Sequence, residues 1–295
     1  MLFRSGKSIG RRVYPMQRDL NFFWEEHLQQ KLDDNAQKVQ DDLRHALIEW
    51  SIARGEGEDY SENSTMLRFN PPGHWYEIPN LIKNGTLSTM LRDNPDLNYL
   101  LCHNIDTMGA GLDNTLLGMH INSGSCMTFE VTPRRIIDQG GGLAIVNGRL
   151  QLVEGMALPR EEDEYRLSYY NTLTHWISID QLLNLFGLHR QQIKDAAHSQ
   201  ELLSNIIEAI QEIEQKIPTY VTIKDVKYLW GSGQENVYPI AQFEKLWGDM
   251  TGLDNLPASY ISVSRYRGQQ LKEASQRDMW FQDGSYDYVL SSTDF

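Results

Sequence analysis

Apolar residues recur along the chain with two different periods, and the period changes from one segment to the next. From residue 18 to residue 56, Leu20, Phe22, Phe23, Trp24, Leu28 and Leu32, then Val39, Leu43, Ala46, Leu47 and Trp50, recur at the spacing of one or two long amphipathic helices. Leu81 to Leu91, Leu112 to Ile121, Arg160 to Leu167, Asp180 to Phe186, residues 189 to 216 and Phe243 to Met250 also read as helices. Between them lie shorter runs. Tyr99-Leu100-Leu101-Cys102, the alternating Ser125 to Val131, and Tyr220 to Trp230 and Tyr260 to Val263 read as strands, while Leu143 to Val146 and Arg149 to Val153 flank Asn147-Gly148, the dipeptide of a tight hairpin. Strands alternating with helices predict an α/β fold, and the hairpin makes its sheet a mixed one.

The polar interruptions are where chemistry belongs. The run at Tyr99 stops at His103-Asn104-Ile105-Asp106, so a strand hands a carboxylate to a loop, the place where ligands collect in open α/β sheets. Asp106 reads equally well as the N-cap of the helix that follows. In Asn70-Pro71-Pro72-Gly73-His74-Trp75-Tyr76, two prolines fix an extended entry and Gly73 permits close backbone approach by a ligand. His74 is then either a site residue or the end of a rigid turn. Gly140-Gly141-Gly142 before the hairpin fits either a flexible loop or a backbone surface against which a sugar can lie.

Composition narrows the class. The chain has 295 residues, 40% of them hydrophobic, enough for one large core or two modest ones. A formal charge of -13 argues against general nucleic-acid binding, so a phosphorylated ligand must be held by a local cluster or by a metal ion. No stretch approaches the roughly 20 apolar residues of a membrane span, and the residues after Met1 lack the apolar core of a signal peptide, which points to a cytoplasmic setting. The two cysteines, Cys102 and Cys126, sit in strand-like runs as small hydrophobes rather than catalytic thiols. Ser5-Gly6-Lys7-Ser8 lacks the first glycine and the preceding strand of a phosphate loop.

Several short motifs in order carry a resemblance. Asn104-Ile105-Asp106-Thr107-Met108-Gly109-Ala110, preceded by Pro71-Pro72-Gly73-His74 and followed by Phe129-Glu130-Val131-Thr132, Gly141-Gly142, Leu152-Val153-Glu154 and Tyr170-Asn171-Thr172, resembles the UTP–glucose-1-phosphate uridylyltransferase family. Phe243 to Gly248 and Arg265 to Lys272 resemble later segments of the same core. The resemblance implies a Rossmann-like nucleotidyltransferase core with a mixed, mainly parallel sheet. It also implies a reaction in which glucose 1-phosphate attacks the α-phosphorus of UTP, releasing pyrophosphate and forming UDP-glucose with Mg2+. By the same resemblance, His74, Asp106 and Lys272 are the catalytic positions, with Asp106 holding the metal. Gly73 faces the uracil, and Asn104, Gly142, Glu154 and Asn171 contact the sugar. The partners so implied are UTP and a sugar 1-phosphate, with no nucleic acid and no membrane; the pattern assigns no oligomeric state.

The departures shape the expectation. Trp75 and Tyr76 stand where the family commonly has a glycine and an aspartate, and residues 1 to 69 contain no counterpart of its Gly-rich strand–loop–helix. The expected organisation is therefore an N-terminal helical segment at 1–66 and a core at 67–295, incomplete at its N-terminus and without the family's C-terminal β-helix. On this reading the chain is a fragment or a divergent member. A non-catalytic sugar-nucleotide-binding or scaffolding protein, and an enzyme using N-acetylglucosamine 1-phosphate, stay open as alternatives. Losing one donor to a developing oxyanion costs a factor of ~10²–10³, so residues 1–295 alone are expected to turn over negligibly when mixed with UTP, glucose 1-phosphate and Mg2+. Pyrophosphate release at ~1 per second would show that another basic group, within Arg4 to Arg12, replaces the loop.

Overall fold

The structure is a computed structural model, and it describes residues 10–11, 69–70, 73–138, 140–196, 199–231 and 234–292. The helices expected between 18 and 56, most of the 1–66 segment and the Ser5–Ser8 motif lie outside these residues. Two compact units divide the chain: Glu77–Pro218 with the residues from Leu246 onward, and the residues up to Tyr76 with Thr219–Lys245.

In chain order, β1 (Gly10–Arg11) pairs antiparallel with β2 (Phe69–Asn70), and a 3-10 turn, His74–Tyr76, follows. The larger unit then opens with α1 (Glu77–Lys83) and α2 (Thr86–Asp93) in place of the single helix expected over Leu81 to Leu91. Gly85 takes a φ of 84°, and the Asn84 Oδ1 accepts the Thr86 amide, so one helix ends and another begins. Next come β3 (Tyr99–Cys102), α3 (Asn114–Ser123), β4 (Met127–Pro133), the hairpin β5 (Gly142–Val146) and β6 (Arg149–Val153), and β7 (Tyr169–Ser178). Asn147 and Gly148 both have positive φ, as a tight hairpin turn requires. The charged stretch expected as a helix from Arg160 is a 3-10 segment, Glu161–Arg166.

After β7 run α4 (Ile179–Leu185), α5 (Arg190–Asp195) and α6 (Gln200–Glu214). The long helix expected over 189–216 is thus two. Ser199 accepts the Leu202 amide and starts the second, a cap signal that the apolar spacing hides. In the smaller unit, β8 (Tyr220–Gly231) forms a hairpin with β9 (Gln234–Glu244). The helix expected from Phe243 does not form because Phe243 and Glu244 are taken up by ladder pairs with Val221 and Tyr220; a 3-10 segment follows at Trp247–Gly252. Last come β10 (Ala258–Ser262), α7 (Arg265–Gly268), α8 (Ala274–Asp283) and α9 (Ser285–Ser292). No helix among the described residues is long and apolar enough to cross a membrane.

The central sheet has six strands in the order β10-β4-β7-β5-β6, with β3 also paired to β7. The α/β class and the mixed sheet are as expected, but a mainly parallel sheet is not what forms. Only β10 and β4 are parallel; the other pairs of this sheet are antiparallel. The reason is the connections. Parallel neighbours need crossovers of a dozen residues or more, usually helical, whereas β4 to β7 are joined by loops, a tight turn and 3-10 segments. The β4–β7 ladder is interrupted between Glu130 and Val131, where Thr172 and Leu173 bulge out and Leu173 takes a φ of 56°.

Around this sheet the core is aromatic. Trp176, Trp247 and Phe129 are almost fully buried, and the His175 ring lies 5.6 Å from Phe129 and 5.3 Å from Trp247. One charge pair is buried with them. Glu130 of β4, with no exposed surface, accepts from the Arg267 Nε and Nη2 at 2.7 and 2.9 Å, and its Oε1 also accepts the Trp176 Nε1 at 2.9 Å. Breaking a buried pair by removing one partner costs about 3–5 kcal/mol, whereas replacing both with apolar groups is often neutral. Glu130→Gln is accordingly expected to lower the urea midpoint sharply, and Glu130→Met with Arg267→Met to lose less than the two single losses summed. Additive losses would show that the two charges do not depend on each other.

Candidate functional site

Asp106 is placed by the loop that leaves β3. The Thr107 amide closes a turn on the Asn104 carbonyl at 3.0 Å, and the buried Thr107 hydroxyl donates to the Thr172 carbonyl at 3.1 Å, tying the loop to the bulge of β7. Asp106 is not a helix cap. That task falls to Asp113, whose Oδ1 accepts the Thr115 and Leu116 amides at 2.8 and 3.0 Å. The Asp106 backbone carbonyl receives the Leu271 amide at 2.8 Å, while its Oδ1 is shielded from solvent and accepts no hydrogen bond. Burial raises the Asp106 pKa, opposed by the nearby Lys272 charge. Asn104 is half-buried beside it, its carbonyl taken up by the turn.

Glu154 stands directly after β6 and is buried. The Thr251 hydroxyl accepts the Leu152 amide at 2.9 Å and donates to the Gly248 carbonyl at 2.7 Å, which holds the Trp247–Gly252 turn against the end of β6. Gly248 then reaches Glu154: its amide hydrogen-bonds the carboxyl, and a Cβ at Gly248 would overlap the Glu154 Oε1. Burial, reinforced by the neighbouring Asp249 carboxylate, pushes the Glu154 pKa up to about 8, against the opposing effects of Gly248 and Lys272. Lys272, exposed on its own segment, is therefore the cation that both Asp106 and Glu154 sense.

The glycine loop closes one side. Gly142 pairs with Tyr170, the Asn171 amide donates to the Gly141 carbonyl at 3.2 Å, and a Cβ on Gly141 would come within 2.5 Å of the Val153 carbonyl and 2.9 Å of the Glu154 Oε2. The missing side chains thus admit the chain's own β6 and β7, against which Gly141 and Gly142 are buried. Asn171, buried, accepts the Leu173 amide at 3.0 Å and fixes the bulge. Gly140, Glu154, Gly155, Met156 and Glu164 line a cleft of about 410 Å³.

Gly142, Glu154 and Asn171 are thus brought to one end of the sheet, and Asp106 is linked to them through Lys272 and the bulge. Gly73 and His74 belong to the smaller unit. There Gly73 has a φ of 102°, a Cβ on it would overlap the Lys245 carbonyl oxygen, and the Trp75 amide donates to that oxygen at 3.1 Å. The close approach that Gly73 permits is that of Lys245. Sequence reasoning missed Gly248 and Asp249, although Trp247-Gly248 had marked the segment. Among the described residues, no three or more His, Cys, Asp or Glu side chains gather to hold a metal ion.

The Glu154 carboxyl has a folded pKa of about 8 against an ordinary value of 4.5, so the unfolded chain loses this proton first as pH rises. Stability is full below the ordinary value and falls through that window. The melting temperature of the chain should drop between pH 5 and pH 8 relative to Glu154→Gln, which has nothing to ionise. Parallel curves for the two proteins would show that Glu154 is ionised in the folded state.

Comparison with known proteins identifies the family of the chain. The profile of the family described as UTP–glucose-1-phosphate uridylyltransferase matches residues 57–224. The enzyme of that name from Hordeum vulgare is 32% identical over 121 residues, 39% of this chain and 25% of that protein; its Solanum tuberosum counterpart is 30% identical over 129 residues, 42% of this chain and 27% of that protein. The matched stretch therefore spans about a quarter of the length of these relatives. Among solved structures, the UDP-glucose pyrophosphorylase from Leishmania major aligns over 85% of this chain and 56% of that one, at 17% identity and a TM-score of 0.43. With more than half of its length matched by the profile, the chain belongs to the UTP–glucose-1-phosphate uridylyltransferase family.

Proposed function

We propose that this chain carries the sugar-phosphate side of a uridylyl-transfer site, at which a phosphate oxygen of glucose 1-phosphate attacks the α-phosphorus of UTP, forming UDP-glucose and releasing pyrophosphate. The observation that carries the reading is the meeting of two carboxyl groups, Asp106 and Glu154, with one cation, Lys272, from three distant parts of the chain. Bringing two polyanions together is the physical problem of this reaction, and positioned positive charge is its solution.

The residues divide the work by protonation state. Glu154, neutral over much of the physiological range, both donates and accepts hydrogen bonds and suits sugar hydroxyls; Gly140 lines the same cleft, and Asn171 and Gly141 are joined beside it by a backbone hydrogen bond. Asn104 takes a hydroxyl beside Asp106. Lys272 neutralises phosphate. Asp106 supplies a shielded oxygen without a hydrogen-bond partner, a fit for Mg2+, which takes one or two carboxylates and completes its shell with substrate phosphates and water. When bound there, the ion would offset the charge of the two substrates. For Gly73 and His74, in the smaller unit, the motif resemblance alone supports the uracil-facing and phosphate-side roles, and a cytoplasmic setting is part of the same proposal.

Asp106→Asn keeps the size of the side chain and removes its charge. In a polypeptide that also carries the family's Gly-rich loop, it is expected to cut Mg2+-dependent uridylyl transfer by ~10²–10³, the scale of losing one element of transition-state charge stabilisation, with the fold left intact. Pyrophosphate release should be followed with glucose 1-phosphate and N-acetylglucosamine 1-phosphate in parallel, and UDP-glucose binding measured by titration. An unchanged rate at saturating substrates removes the metal role from Asp106, and binding without turnover favours a non-catalytic sugar-nucleotide-binding protein.

A further inference from the structure

Arg265 and Arg267 stand two residues apart on α7, just before Lys272, where an annotator of charge would read two more phosphate ligands. Neither guanidinium is available for that. Arg265 grips the buried Asp138 with both ends of its fork and reaches the Pro133 carbonyl at 3.4 Å. Asp138 in turn belongs to the glycine loop: Arg134 donates to the Asp138, Gly140 and Gly141 carbonyls at 3.0, 2.7 and 2.9 Å, and both Arg134 and Arg265 lie over the Tyr170 ring. Arg267 reaches the other side. Besides Glu130, it donates to the Gly111 carbonyl at 2.8 Å, and Gly109 lacks the Cβ that would overlap the Tyr266 carbonyl oxygen.

The segment after α7 repeats the same double attachment. Gln270, buried, accepts from the Tyr170 hydroxyl at 2.8 Å and donates to the Thr172 carbonyl at 3.3 Å, and the Leu271 amide donates to Asp106. The geometry points to α7 as a two-armed clamp: Arg265 fixes the Gly140–Gly142 loop, Arg267 fixes the Asp106–Gly111 loop, and the Leu271 amide keeps its bond to Asp106, with Lys272 beside it, only while both arms hold. Arg265 and Arg267 are positioning residues, and the two loops move together or not at all. What the cleft binds rests on the function proposed above; the coupling of the loops does not.

Lysine keeps the charge of arginine but not the fork, so it separates neutralisation from positioning. Hydrogen exchange is read amide by amide in the wild-type chain, Arg265→Lys and Asp138→Asn. The clamp predicts that both variants speed exchange of the Leu271 amide and of the Asp106–Gly111 loop by about tenfold, with the β4 and β7 ladder amides unchanged. Faster exchange confined to Asp138–Gly142, with Leu271 as in the wild type, overturns it. Arg267→Lys should loosen Gly140–Gly142 in the reverse sense; should that buried variant not fold, the two Arg265-arm variants decide. Titration with UDP-glucose runs beside the exchange. A wild-type chain that binds should bind about tenfold more weakly as Arg265→Lys, whereas a wild type that does not bind removes the proposed function and leaves the exchange result to judge the clamp.

Discussion

A carboxylate with no exposed surface sets the terms for the rest of the larger unit. Glu130 lies in the middle of β4, and leaving its charge unpaired there costs several kcal/mol, so the chain must return a cation to that point from far along the sequence. Arg267 is that cation. Its delivery requires β10 to run parallel to β4, because only then does the strand's end, Ser262, lie beside Val131 and α7 begin over Glu130. The one parallel pairing of the sheet and the buried charge pair are thus two aspects of a single constraint, and Lys272 lies five residues beyond it.

The bulge in β7 has a similar logic. A regular ladder would continue the pairing of Glu130 with Thr174 without a gap; instead two residues are extruded, and Leu173 is held in a left-handed conformation that side chains other than glycine seldom take. Such a backbone persists only when its surroundings over-determine it. Here they do. The Thr172 hydroxyl donates to the Glu130 carbonyl, its own carbonyl accepts from Thr107 and Gln270, and the Asn171 side chain accepts the Leu173 amide. The distortion makes a meeting point for the loop after β3 and the segment before Lys272, and it turns Asn171 inward.

What could be read from residue order divides along local and non-local lines. β3, the Asn147-Gly148 hairpin, β8 and β10 announce themselves by short apolar runs and turn residues, signals contained within a few positions. Helix breaks were less legible, because Gly85 and Ser199 interrupt apolar spacings that continue on both sides of them. Phe243 to Met250 misled for a different reason: its spacing suits a helix, but its first residues are claimed by a partner strand more than twenty positions earlier. The site shows the same division. Asp106, Glu154 and Asn171 follow from motifs, whereas Asp249, which presses on Glu154, and the arginines that consume Asp138 and Glu130 become visible only when distant segments are brought together.

The charge arrangement that results resolves a tension in a chain of net charge -13 for which phosphorylated substrates are proposed. Long-range attraction of a polyanion is not available to such a surface, so affinity has to come from short-range features that remove negative charge locally. Three are present at this end of the sheet. Glu154 is held largely protonated by burial beside Asp249, so its carboxyl repels little; Arg265 and Arg267 cancel Asp138 and Glu130 rather than facing outward; and Lys272 is left as the exposed cation near Asp106. In the proposed site Asp106 keeps a shielded oxygen without a hydrogen-bond partner, and its charge is the one that a divalent ion would use. The acidic composition and the proposed substrates are compatible because Glu154 is held protonated and Asp138 and Glu130 are paired with arginines, which removes three negative charges from this end of the sheet.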